Sequence, residues 1–166
     1  MAATKDGSSG PGSARAGVAR ADLSRLAVPV LAALAAAVLV KVFVADFSVV
    51  EGVSMSPSHP RGSVVLIWKL AYGLRTPSGY LARWGEPEPG HAVSAFHDGR
   101  RVLKRVAAAG PASLEREGGG RLAVPAGTVF LVGDAPEHSN DSRDYGPVPL
   151  DAVEGRVFRI VPGTRR

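Results

Sequence analysis

The chain has 166 residues, enough for one modest domain with a real core and little more. It has no cysteine, which excludes a disulfide framework and a thiolate metal site. Lysine and arginine (20) exceed aspartate and glutamate (15) for a net charge of +5, but no basic block with interleaved aromatics stands out, so nothing points to nucleic acid as a partner.

In chain order, residues 1–25 are poor in large apolar side chains and rich in Gly, Ser and Ala, and they are expected to be a disordered tail. An apolar run from Leu26 to Val40 follows, then Lys41, then Val42-Phe-Val-Ala45. With Lys41 snorkelling, residues 26–46 reach the ~20 residues that span a bilayer. Lys5, Arg15, Arg20 and Arg25 outnumber Asp6 and Asp22 before the run, which puts the amino terminus in the cytoplasm and residues 47–166 outside. A cleaved signal peptide would need a shorter apolar core and a small-x-small site, and neither stands out. A transit peptide would suit the arginines and serines, but the long apolar run argues against it, and a buried soluble helix is the third reading, since Ala is only weakly apolar and Lys41 interrupts the run.

Beyond residue 46, the segments 63–68, 92–96, 101–106, 128–132 and 155–161 read as strands, each bounded by Gly, Pro, Asp or Asn. They predict a mainly β fold, an antiparallel domain behind one N-terminal transmembrane helix. Residues 70–91 and 109–121 read as loops or excursions, with Gly118–Gly120 as a hairpin tip.

Three polar elements interrupt this pattern. On the strand at 101–106, alternation puts Val102, Lys104 and Val106 on one face. A lysine between valines on an inward face is desolvated, which lowers its pKa and lets its neutral form act as a general base. The plain alternative is a lysine that snorkels to solvent. Ser54 lies between Gly52, which frees the backbone, and Pro57, which stops a helix, so it belongs in an irregular turn. Exposed turn serines are common, and Met55 beside it reads as core. Gly133-Asp134 and Ser139-Asn-Asp141-Ser-Arg143 form a polar stretch after an apolar strand. There Asp141 and Arg143 suit a loop-fixing ion pair, and Ser139 suits a hydrogen bond to a nearby lysine. The bland reading is a solvated connector. A serine plus a desolvated lysine is the minimum for acyl transfer without histidine. His59, His91, His97 and His138 lack metal-ligand spacing, so neither metal nor cofactor is implied.

Taken in order, these segments resemble the type I signal peptidases. The matching stretches are Gly52-Val-Ser54-Met55-Ser-Pro57, Leu103-Lys104-Arg105-Val106, Val124-Pro-Ala-Gly127, Gly133-Asp134 and Ser139 to Gly146. The segment from Lys69 to Pro77 and the closing Gly155-Arg-Val add to the likeness, which covers about residues 26–161. The resemblance implies a membrane-anchored serine endopeptidase in the cytoplasmic membrane, cutting exported precursors after a small-x-small site. Its partners would be signal peptides and membrane lipid. It implies Ser54 as nucleophile, Lys104 as general base and the Ser54 N–H as an oxyanion donor. It makes Ser139 the serine that orients the lysine, with Asp141 and Arg143 bracing it. Gly52, Gly133 and Asp134 become supporting positions, and Val53, Met55, Val102 and Leu103 become substrate contacts. The chain departs from the family pattern at Ser58-His59, Gly62-Ser63, Gly90-His91 and Ala135-Pro136, and it has no hydroxyl at Gly52. Those departures suggest an alternative: a catalytically impaired relative serving as a membrane-anchored binding domain for precursors or envelope proteins. A self-cleaving repressor with a related fold is a poorer match, because no DNA-reading domain precedes residue 50.

Overall fold

The computed structural model describes residues 14–76, 79–115 and 119–163. Alanine and leucine favour helix, and α1 runs Ala14–Leu39. It begins inside the stretch expected to be disordered; residues 1–13 lie outside the described residues. Ala, Leu and Arg, all good helix formers, supply most of positions 14–26, so helical propensity carries into the tail. The 19 residues Leu26–Val44 are long and apolar enough to cross a membrane.

From Val40 on, the chain forms a separate unit. A π-helical turn, Val40–Val44, leads into β1 (Ala45–Val49). There follow β2 (Val64–Trp68), β3 (Gly73–Thr76), β4 (Gly79–Arg83), β5 (Ala92–His97) and β6 (Arg100–Ala109). Next come β7 (Ala112–Glu115), β8 (Arg121–Val124), β9 (Thr128–Val132), the short helix α2 (Ser142–Tyr145), β10 (Val148–Pro149) and β11 (Val153–Val161). Seven strands make one antiparallel sheet in the order β1-β2-β11-β5-β6-β9-β10, and β3-β4 and β7-β8 are separate two-stranded ribbons. This is the expected antiparallel β domain.

Two expectations need correction. The stretches taken for loops at 70–91 and 109–121 hold the β3-β4 ribbon and β7, the first strand of the β7-β8 ribbon. Their strands are four or five residues long and punctuated by Gly, too short for an alternation to stand out. Gly119 and Gly120 take φ of +89° and +100°, as a tight tip requires; Gly118 lies outside the described residues. The apolar run also ends earlier than residue 46, because Ala45 already pairs with Trp68 across β2.

The core is valine-rich, as suits a pleated sheet. Val93, Ala95, Val106, Val129, Leu131 and Val153 form its centre. A second cluster, Val50, Met55, Val65, Ile67, Ala92 and Val157, underlies the Ser54 turn. Strands β2 and β11 approach so closely at Gly155 that a Cβ there would stand 2.4 Å from the Trp68 carbonyl oxygen. In the same region Phe47, Leu66 and Phe158 lie in one cross-strand row, with Phe47 66% and Phe158 42% exposed.

Candidate active site

The turn carrying Ser54 is closed by backbone hydrogen bonds. Val50 N–H donates to Ser63 O (2.9 Å), Gly62 N–H to Val50 O (2.7 Å) and His59 N–H to Met55 O (2.7 Å). Met55, buried to 1% exposure, anchors the turn in the second core cluster. The Ser54 carbonyl accepts from Ala135 N–H at 2.9 Å, which ties the turn to the segment after β9. Gly133 makes that approach possible, since a Cβ there would meet Ser139 Oγ at 2.2 Å and Ser54 O at 2.6 Å.

Lys104 sits mid-strand on β6, opposite Val93, and is only 4% exposed. Burial pushes its pKa below the usual lysine value, and Arg143 adds to this while Asp141 and Asp144 oppose it. Its Nζ donates to Ser139 Oγ at 2.8 Å, and Ser139 Oγ in turn donates to Asp141 Oδ2 at 2.5 Å. Asp141 is fully buried and also accepts from Gly133 N–H (2.8 Å), Arg143 Nε (2.8 Å) and Arg143 Nη2 (2.6 Å). Burial alone would raise the Asp141 pKa. The bonds from Arg143, Ser139 and Gly133 outweigh it and hold the carboxyl well below the usual carboxylate range. Asp141 also caps α2 through Arg143 N–H, with Asp144 returning the bond to its own N–H (3.0 Å), and Ser142 Oγ accepts from Leu131 N–H at 2.9 Å. The Ser139 loop is thereby fixed to β9.

Ser54 and Lys104 both line a cleft of about 410 Å³, with Val50, Met55, Val65, Ile67, Leu103 and Val157 as apolar walls. Gly52 and Val102 also line it. Val53 does not and is 45% exposed. Asp134 is not on the wall either. It pairs with Arg105 through two bonds of 2.7 Å and accepts from Ser58 Oγ, while Arg105 Nη2 donates to Ser58 Oγ at 3.1 Å. Burial raises the Asp134 pKa, but the bonds from Arg105 and Ser58 bring it below the ordinary value.

Sequence reasoning missed Ser58 and Arg105. Together with Asp134 they lock the serine turn, the lysine strand and the turn after β9 to one another. Arg105, on the face opposite Lys104, could have been found by asking what neutralises Asp134. Ser58 gave no signal except as a departure from the family pattern. Among the described residues, no cluster of His, Asp and Glu could hold a metal ion.

A family model described as signal peptidase, peptidase S26, matches residues 23–123 and 112–161. A mitochondrial ATP-independent inner membrane protease subunit 1b of Arabidopsis thaliana is 30% identical over 121 residues, 67% of each chain. A probable signal peptidase I-1 of Synechocystis is 28% identical over 163 residues, 83% of each. A mouse mitochondrial inner membrane protease subunit 1 is 50% identical over 38 residues, 23% of each. The chain belongs to the signal peptidase family, peptidase S26. It is a serine endopeptidase of the signal peptidase I type, a divergent member with one helix able to span a membrane.

Proposed function

We propose that this chain removes signal peptides from exported precursors at the outer face of the cytoplasmic membrane, cutting after a small-x-small site with Ser54 and Lys104 as its dyad. Leu26–Val44 anchors it, the amino terminus is cytoplasmic, and the β domain that follows is the catalytic domain outside. The observation that carries this reading is that Lys104, which lines the same cleft as Ser54, is held from behind by the relay Lys104–Ser139–Asp141. Ser139 gives its own proton to Asp141 and so can only accept from Lys104. That holds Nζ in place and leaves the lone pair of the neutral amine for another proton.

In the reaction, neutral Lys104 takes the Ser54 Oγ proton as Oγ attacks the scissile carbonyl. The oxyanion forms against the Ser54 N–H, with no side-chain donor at Gly52. Protonated Lys104 then passes its proton to the leaving amine, and the acyl-enzyme is left on Ser54. Lys104 next deprotonates a water, which attacks the ester and frees the signal peptide with Ser54 reprotonated. The apolar walls accommodate an extended chain with small side chains, which main-chain hydrogen bonds would hold as an added strand. The exposed Phe47 and Phe158 suit a domain working at a lipid surface.

The test is full-length protein in detergent micelles with a labelled precursor bearing a small-x-small site. Wild type should cut there, as read by sequencing the new amino terminus, while Ser54→Ala and Lys104→Ala should not. Cleavage that survives either substitution would refute the dyad.

A further inference from the structure

The cleft is not apolar throughout. Like Glu51 on the serine turn, Ser48, Ser94 and Arg101 also line it. Behind them lies Glu154, only 4% exposed, which accepts from Ser94 Oγ at 2.9 Å and from Arg101 Nη2 at 2.8 Å and lies 3.4 Å from Lys69 Nζ. Arg101 Nη1 also reaches Asp46 at 3.3 Å, and Asp46 lies 3.9 Å from Lys41. This cluster holds three cations, Lys41, Lys69 and Arg101, against two carboxylates, Asp46 and Glu154, so it carries one positive charge in excess. These ion pairs engage only part of the Arg101 fork, and its side chain remains 36% exposed on the cleft wall. Glu154, itself held by Ser94, and Asp46 grip the two tips of that fork, so it is set in position before any ligand arrives.

We propose that Arg101 makes the outer end of this cleft a subsite for an acidic substrate side chain, so that the protein prefers precursors with Asp or Glu just upstream of the cleavage site. The proposal rests on the reading of the cleft as a peptide-binding groove. Arg101 lies three residues before Lys104 on β6, about 10 Å along an extended strand. A substrate strand laid along β6 advances at the same rise, which brings its third and fourth residues before the scissile bond abreast of the guanidinium; the third is the outer small residue of the small-x-small site, so the fourth carries the charge. A carboxylate there would take a charge-assisted bond from the exposed part of the Arg101 fork. A lysine would add a fourth cation.

The experiment uses full-length protein in uncharged detergent and three labelled peptides sharing one small-x-small site. They carry Glu, Ala or Lys at the fourth upstream position, which leaves both small residues in place. Binding is measured by anisotropy on Ser54→Ala, which holds peptide without turnover, and cleavage is measured on wild type. Glu should bind about three- to tenfold tighter than Ala, and Lys weaker than Ala. The readout in the variants is this ratio. Arg101→Gln should collapse it, Arg101→Glu should invert it, and Arg101→Lys should retain its sign. If Arg101→Gln melts early because Glu154 loses its partner, Arg101→Gln with Glu154→Gln removes both charges and should collapse the ratio equally.

Equal binding of the three peptides, or a preference that survives Arg101→Gln, overturns the proposal. Cleavage that depends on Ser54 but ignores the charge leaves the endopeptidase reading standing and sinks only the acidic subsite. A charge preference in binding without any cleavage does the reverse. Vesicles of phosphatidylglycerol and of phosphatidylcholine test the other source of an anion. If Arg101→Gln weakens binding to the first alone and leaves the peptide ratio intact, Arg101 serves a lipid headgroup and the proposal fails.

Discussion

Gly133→Ala should disable the site by a single methyl group. The Gly133 φ lies outside the left-handed region, so alanine brings no backbone penalty and its effect is purely one of space. The new Cβ would stand 2.2 Å from Ser139 Oγ, 2.6 Å from Ser139 Cβ and 2.6 Å from the Ser54 carbonyl, where an ordinary contact begins at 3.4 Å. Something must therefore open by about 1 Å, and both neighbours belong to the site: one positions Lys104, the other is the backbone of the proposed nucleophile. Overpacking of this kind costs about 1–3 kcal/mol, which for a domain of this size lowers Tm by about 3–10 °C. A 1 Å misplacement of reacting groups costs about 10²-fold in rate. The assay is single-turnover acylation with saturating precursor, run beside a thermal melt of the same sample. The expected result is a modest drop in Tm with acylation slowed about a hundredfold. A variant that melts lower but acylates at the wild-type rate would mean the strain is absorbed away from Ser54 and Ser139, and the packing argument would be wrong.

Other outcomes follow from the same geometry. Gly52→Ser should be accepted without strain, since a Cβ there meets nothing closer than Ser54 Oγ at 3.9 Å, and its hydroxyl should raise kcat by up to about 10²-fold if it reaches the oxyanion; an unchanged kcat would place that hydroxyl out of reach. In the proposed mechanism Lys104 acts as the neutral amine, so kcat/KM should rise with pH through its lowered pKa. Arg143→Gln removes a cation that lowers that pKa and unmasks Asp141, which raises it, so the rising limb should move to higher pH; a limb that stays put would assign it to another group. Asp141 has a depressed folded pKa, so its stabilisation is present above the unfolded value of about 3.9 and is lost as pH falls toward the folded value. In denaturant titrations Asp141→Asn should cost about 3 kcal/mol near neutral pH and flatten the loss of stability below pH ~4; an unchanged acid limb would show that other carboxylates set it.

The strands rich in valine were legible in the sequence because alternation and length both favour β over helix. Lys104 was legible for the same reason, as a charge on the face shared with Val102 and Val106. What the sequence hid depended on partners far along the chain. The β3-β4 and β7-β8 ribbons are too short to show a period. Glu154 and Ser94, sixty residues apart, meet only because β11 inserts beside β5. Arg101 was part of a recognised strand, yet its position on the cleft wall depends on that same insertion.

The departures at Ser58 and Ala135-Pro136 show why local mismatch is a poor measure of damage to a site. What the Ser54 turn takes from residue 135 is a backbone N–H, which any residue but proline supplies. Proline falls one position later, at the start of the 3₁₀ turn Pro136–His138, where its fixed φ is tolerated and no N–H is required. Likewise Ser58 brings a hydroxyl to the carboxylate of Asp134 and to Arg105 together, so the substitution joins the bracing network instead of breaking it. An eroded, merely binding relative would be expected to lose such interlocking bonds first, because nothing but precise positioning of Ser54 and Lys104 needs them. Their presence across three separate segments is the structural argument against erosion of the site. It also predicts that Ser58→Ala will act on turnover more than on folding: kcat should fall about tenfold with Tm within a few degrees of wild type, and a variant that turned over normally would show that these bonds do not position Ser54.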